Sequence, residues 1–144
     1  MEVKIKKVDE KAVIPTRGSE KAAGYDLYAC LEDPVCIPPQ RAVKISTGIA
    51  VTPPEGYFGA IFARSGLSTK KGLRLSNDVG VCDQDYTGTY IVSLYNDSNE
   101  EQTVNPGERI AQLIFLPYLD IEFKEVEKLE DTERGDGGFG STGK

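Results

Sequence analysis

Apolar and polar residues alternate with period two over much of this chain, and Gly- and Pro-containing turns interrupt the alternation at short, regular intervals. Val3-Lys4-Ile5-Lys6-Lys7-Val8 reads as a half-buried first strand, and Ile14-Pro15-Thr16-Arg17-Gly18 as the loop that leaves it. Small residues at Ala22, Ala23 and Gly24 lead into a short strand in which Asp26 stands between Tyr25 and Leu27. Ile37 to Arg41 is a turn, Ala42 to Val51 a strand, Thr52 to Gly56 a second turn, and Tyr57 to Ala63 the next strand. Asn96 to Glu101 and Val104 to Glu108 are polar turns. Arg109 to Leu116 is mostly apolar and reads as a buried strand whose two polar interruptions, Arg109 and Gln112, need partners. Ile121 to Lys128 alternates again as a last strand. Many short strands and little helix predict an all-β sandwich or barrel of the Greek-key or jelly-roll kind.

Two stretches break the strand pattern in ways that matter for chemistry. At Ala63-Arg64-Ser65-Gly66-Leu67-Ser68, a guanidinium, a hydroxyl and the amides around Gly66 converge as they would on an anion. Ser65 to Gly72 also reads as a single helical turn with a Ser cap and a Gly stop. The second stretch, Asn77 to Tyr90, continues into the strand-like Ile91-Val92-Ser93-Leu94-Tyr95 and reads as a β-hairpin. Its turn is placed at Asp85-Tyr86-Thr87-Gly88, with Asp first and Gly last. The hairpin offers approachable backbone at Gly80, an acid at a strand end in Asp83 and an aromatic face in Tyr86. From this stretch alone, turn-forming aspartates and a surface tyrosine account for the pattern equally well.

The last residues change character. Gly135, Gly137, Gly138, Gly140 and Gly143 make ordering costly, so residues 130–144 are expected to form a flexible arm beyond a single β domain over residues 1–129. Gly138 to Lys144 has the Gly-x-x-x-x-Gly-Lys spacing of a phosphate-binding P-loop. It lacks the following Ser/Thr and the receiving helix, and is not read as one. Arg134, Phe139, Ser141 and Thr142 nevertheless give the arm a cation, a stacking face and two hydroxyls.

Composition narrows the chemistry. With 144 residues there is room for one ordinary domain. A net charge of −6 argues against a general nucleic-acid or acidic-membrane binder, so any anion site must be local. No apolar run approaches the length that spans a membrane. The charged start and the odd count of three Cys (30, 36 and 82) fit a reduced, cytoplasmic protein, or a nuclear one in a eukaryote. The chain contains no His. Acid–base chemistry near neutral pH then falls to a carboxylate, Lys, Tyr or Cys.

Five segments, taken in this order and spacing, resemble the five motifs of the trimeric deoxyuridine triphosphatases: Ala-Gly-Tyr-Asp-Leu, Arg-Ser-Gly, Gly-Val-x-Asp-x-Asp-Tyr-x-Gly, Arg-Ile-Ala-Gln-Leu-Ile and Arg-Gly-x-Gly-Gly-Phe-Gly-Ser-Thr-Gly. The resemblance covers nearly the whole chain. It departs at Ala63, where Pro is common, at Cys82 for an aliphatic residue, and at Thr87 and Thr89; none of these is a reacting group. The resemblance implies a distorted jelly-roll (β-clip-like) subunit and a homotrimer with active sites shared between subunits. It also implies Mg²⁺-dependent hydrolysis of dUTP to dUMP and pyrophosphate, which keeps uracil out of DNA and supplies dUMP for dTMP synthesis. Transferred residue by residue, it makes Asp83 the base for the attacking water. Asn77 and the Gly80, Val81 and Cys82 backbone would read the uracil edge, and Tyr86 and Ile91 would enclose the deoxyribose. Arg64, Ser65, Gly66 and Gln112 would hold the phosphates, with Asp26 reaching Mg²⁺ through water. Phe139 would cover the uracil while Arg134, Gly140, Ser141 and Thr142 close on the nucleotide. The related dCTP deaminases lack such an arm and use a Glu as acid–base residue. A non-enzymatic trimer would leave Arg64, Ser65, Arg134 and Ser141 without a purpose.

Overall fold

The computed structural model describes residues 1–140 and 143. Among these the order is β1 (Lys4–Lys7), β2 (Thr16–Arg17), β3 (Tyr25–Tyr28), β4 (Val35–Ile37), β5 (Ala42–Ser46), β6 (Ile49–Thr52) and β7 (Tyr57–Phe62), then the one helix, α1 (Ser65–Lys71). It continues with β8 (Leu73–Leu75), β9 (Gly80–Cys82), β10 (Ile91–Asn96), β11 (Gln102–Val104) and β12 (Arg109–Pro117). Five strands form one sheet in the order β2-β3-β12-β7-β9, three form a second as β5-β10-β8, and β1-β6 and β11-β4 are separate pairs. All pairings are antiparallel. Leu27, Ile61 and Leu113 from the first sheet and Ile45, Leu75, Val92 and Leu94 from the second meet in one buried cluster, giving an all-β sandwich of distorted jelly-roll type.

The stretch expected as one strand from Ala42 to Val51 is two. Gly48 sits at φ +68, and a Cβ there would lie 2.7 Å from Cys30 Sγ and 2.8 Å from the Ala12 methyl, so only glycine fits. The chain turns at this point and changes partners: β5 pairs with β10, while β6 pairs with β1. The Asn77–Tyr95 hairpin is also overturned. β9 hydrogen-bonds to β7 and β10 to β5 and β8, so the two arms enter different sheets. Alternation marks a strand but not its neighbour, and here Tyr90, almost wholly buried, carries the chain across the core between them.

Two end segments differ from expectation. β1 forms where expected, yet all four of its residues are exposed in the single chain. Residues 121–128 form no strand: they are extended and exposed, because no strand of this chain lies beside them. The three-residue pair β4–β11 is too short to stand out as a pattern. It includes Val104, which reads from sequence as part of a turn.

Candidate active site

The phosphate-type residues converge around the end of β7. Asp26 on β3 and Gln112 on β12 are register partners, and Gln112 is in turn opposite Phe62 at the end of β7, which hands the chain to Arg64 and α1. Arg64 is the N-cap of α1, with extended backbone, and its carbonyl accepts the Leu67 and Ser68 amides at 3.1 Å each. The expected Ser cap is absent. Ser68 and Thr69 donate their hydroxyls back to the carbonyls of Arg64 and Ser65, and the Ser65 hydroxyl takes no part in capping. The Gly stop is present: Gly72 lies at φ 67 and its amide bonds the Leu67 carbonyl.

The Asp26 carboxylate, 12% exposed, receives the Arg64 Nε at 2.8 Å on one oxygen and the Arg109 Nη1 at 3.3 Å on the other. Gln112 Nε2 donates to the Ala63 carbonyl at 2.9 Å, which turns its Oε1 towards Gly24. A Cβ at Gly24 would stand 2.5 Å from that oxygen, so this glycine is what admits the Gln112 amide. Around Gly66 a Cβ would meet nothing, leaving open space over the start of α1. Asp26, Arg64, Ser65, Gly66, Arg109 and Gln112 thus border one cavity of about 310 Å³, walled on its far side by the loop from Gly18 to Gly24.

The acid and the aromatic lie elsewhere. β9 is the free edge of the five-stranded sheet, entered through a tight turn in which the Val79 amide bonds the Asn77 carbonyl at 2.6 Å with Asp78 at φ 59. Gly80 and Cys82 face inwards, and a Cβ at Gly80 would lie 3.1 Å from Ile61 Cβ; Val81 faces out, 62% exposed. The following turn spans Asp83 to Tyr86, closed by the Tyr86 amide on the Asp83 carbonyl at 3.2 Å. It is therefore two residues earlier than expected and has Asp83, not Asp85, in first place. Asp83, Val81, Gln84 and Asp85 border an open cleft of about 810 Å³ with Phe58 and Tyr118. Tyr118 donates to Gln84 Oε1 at 2.8 Å and fixes that wall.

Tyr86 is set before any ligand arrives. Its hydroxyl donates to the Thr89 carbonyl at 3.0 Å and its ring stacks on Tyr90 with centroids 6.3 Å apart. It lies so close over Gly88 that a Cβ there would be 2.5 Å from its oxygen. Burial pushes the Tyr90 phenol up and raises the thiol of Cys82 to about 11.

A dUTPase family model matches residues 10–143. The chain belongs to the dUTPase family. It is 46% identical over 143 residues to the deoxyuridine 5'-triphosphate nucleotidohydrolase of Hydrogenobaculum sp. (strain Y04AAS1), covering 99% of each chain. It is 45% identical to that of Coxiella burnetii (strain Dugway 5J108-111), covering 96% of this chain and 91% of the relative. The dUTPase of Staphylococcus bacteriophage 80alpha with dUPNHPP superposes with a TM-score of 0.89 at 31% identity, over 99% of this chain and 98% of that one. The dUTPase of phage phi11 of S. aureus, described with a coordinated structural Mg(II) ion, does so at 0.82 and 27%, over 91% and 100%.

In this dUTPase-family chain the two halves of the site do not meet. Cys82 pairs with Gly59, which brings Asp83 level with Phe58, four residues along β7 from the Phe62–Gln112–Asp26 row. At ~3.3 Å per residue along a strand and ~4.8 Å between strands, Asp83 stands roughly 16 Å from Gln112 at the opposite end of the sheet. Asn77, Tyr86 and Ile91 are exposed but border neither cavity. In the arm, Arg134 donates to the Gly137 carbonyl at 2.8 Å, and Phe139 and Gly140 are exposed at positive φ. They approach neither cluster; Ser141 and Thr142 lie outside the described residues. Among the described residues no three Cys, Asp or Glu side chains converge as a metal cage. Asp26, with both oxygens on guanidiniums, fits an ion only as an outer partner.

Sequence reasoning missed three contributors: Arg109, Gly24 and Gly88. Arg109 and Gln112 are three residues apart, which in a regular strand puts them on opposite faces. A β-bulge between Arg109 and Ala111 turns both to one cavity, and no alternation pattern reveals a bulge. Gly24 and Gly88 stand inside motifs read for their charged or aromatic members.

Proposed function

We propose that this chain hydrolyses dUTP to dUMP and pyrophosphate, with Asp83 as the base. The observation that carries the reading is the pairing of an anion cavity built on Arg64, Ser65, Gly66 and Gln112 with a separate acid-bearing edge at Asp83. Asp83 takes a proton from water as the water oxygen bonds to the α-phosphorus and the bond to the pyrophosphate oxygen breaks. Its exposure at the mouth of an open cleft suits it to hold that water.

The free edge of β9 supports the uracil role given to Asn77, Gly80, Val81 and Cys82. An edge strand leaves main-chain donors and acceptors unpaired, and these can copy base pairing. Tyr86, held rigid by Thr89, Tyr90 and Gly88, suits the part of a wall against a ribose 2′-hydroxyl, with Ile91 on the other side of the sugar. Gln112, its amide oriented by Ala63, keeps one N–H for a phosphate oxygen. Mg²⁺ entering with the triphosphate neutralises phosphate charge, and Asp26 reaches it through water. The arm closes last, Phe139 over the uracil and Arg134, Gly140, Ser141 and Thr142 on the nucleotide, excluding bulk water.

The separation of roughly 16 Å within one chain supports a homotrimer in which the Asp83 edge of one copy meets the phosphate cavity of another. Exposed Leu119, Ile121, Phe123 and Leu129, with no neighbour in their own chain, fit the same reading. The three unpaired cysteines fit a cytoplasmic setting. Turnover against a nucleotide panel with Mg²⁺ tests the function. Pyrophosphate from dUTP and negligible product from UTP, dTTP and dCTP is the expected pattern; ammonia from dCTP would replace it with deamination.

A further inference from the structure

Arg109 has no role in the chemistry above, yet it closes a ring. Its side chain donates to Asp26 Oδ2 at 3.3 Å, Arg64 Nε donates to Asp26 Oδ1 at 2.8 Å, and Arg64 Nη1 reaches back to the Arg109 carbonyl at 3.4 Å. The Asp26 side chain is 12% exposed and Arg64 28%, whereas Arg109 is half open to solvent at 50%. A β-bulge after Arg109 is what brings it to this face, and all three residues border the same cavity as Ser65 and Gln112.

We propose that Arg109 is a positioning residue for phosphate binding: it shares the Asp26 carboxylate with Arg64 and so fixes the Arg64 guanidinium against the cavity. The inference rests on the reading that this cavity takes the phosphates. A lone carboxylate beside a triphosphate repels it, and a lone Asp26–Arg64 pair leaves one carboxylate oxygen uncompensated. With Arg109 on that oxygen the pair carries a net positive charge. Arg64 Nε is committed to Asp26, which leaves its outer nitrogen to point at a ligand. The carbonyl of the same residue steadies the fork, so one position holds Arg64 in two ways.

The test titrates inorganic tripolyphosphate into the intact protein by calorimetry and measures kcat and KM for dUTP in parallel. Arg109→Gln should weaken tripolyphosphate about tenfold, the effect of losing ~1.4 kcal/mol, and raise KM for dUTP more than it lowers kcat. Arg109→Lys, which keeps the charge and most of the volume, should recover part of that loss and serves if the Gln variant folds poorly. In an Asp26→Asn background, Arg109→Gln should add less than about twofold, since its route to the ligand is gone. An undiminished loss in that background would mean direct contact with phosphate and overturn the positioning role. Wild-type affinity in both Arg109 variants, with Arg64→Gln still weakened, would overturn the inference alone. Unchanged affinity in Arg64→Gln as well would overturn the phosphate reading beneath it.

Discussion

Gly88→Ala tests whether Tyr86 sets sugar choice, without touching any group that would contact the nucleotide. The new methyl carbon would lie 2.5, 2.6 and 2.9 Å from three atoms of the Tyr86 ring, so the ring must leave its seat. It is the end of a side chain, 45% exposed, and swings outwards more cheaply than the backbone shifts. The displaced ring gives up its bond to the Thr89 carbonyl, worth about 1 kcal/mol, and its stacking on Tyr90, worth about 0.5–1.5 kcal/mol. A loss of about 2 kcal/mol in holding the ring corresponds to a fall of roughly 10–30-fold in how strongly it can refuse a ribose 2′-hydroxyl. The assay is kcat/KM for dUTP and UTP, compared as a ratio between variant and wild type. The ratio should fall at least about tenfold, mainly through a gain on UTP. Tyr86→Phe keeps the ring and the stack and should stay within about threefold. An unchanged ratio in Gly88→Ala, with the ring shown by crystallography to have moved, would refute the placement of the sugar at Tyr86.

Asp83→Asn preserves shape and removes the proton acceptor; kcat for dUTP should drop at least ~100-fold while binding of a non-hydrolysable analogue stays near wild type, and activity within a few-fold would take Asp83 out of the mechanism. For Cys82, burial raises the thiol to about 11, so its neutral form stabilises the fold fully below the ordinary thiol value of 9.0 and loses that contribution as pH climbs through about 11. Denaturation midpoints should therefore decline from about pH 9 upwards, less steeply in Cys82→Val. At pH 8 iodoacetamide should label exposed Cys36 and spare Cys82, and rapid labelling of Cys82 would contradict its burial.

Much of this molecule is legible along the chain, and the failures share a cause. The strands announce themselves by alternation, Gly72 by its place after a polar turn, and the Arg64 and Asp83 segments by chemistry no core requires. Partnership between strands is not legible. Asn77 to Tyr95 has every local mark of a hairpin, yet β9 and β10 join separate sheets because the buried Tyr90 links them through the core. Ala42 to Val51 looks continuous because the crowding of Gly48 by Cys30 and Ala12 comes from distant residues. Residues 121–128 alternate like a strand and find nothing in their own chain to pair with. Arg109 escaped for the same kind of reason, since a bulge resets the side of the sheet that it faces.

The account stands or falls on whether one catalytic site draws Asp83 and the Arg64 cavity from different copies. Asp83→Asn and Arg64→Gln each leave a homo-oligomer in which every site lacks one half. The two variants, unfolded and reassembled together, should form mixed assemblies in which some sites join a working Asp83 from one copy to a working Arg64 cavity from another. dUTP turnover well above the sum of the two parents is the predicted result. Turnover no greater than that sum, in assemblies verified to be mixed, would contradict the shared site and require each chain to bring its own two clusters together.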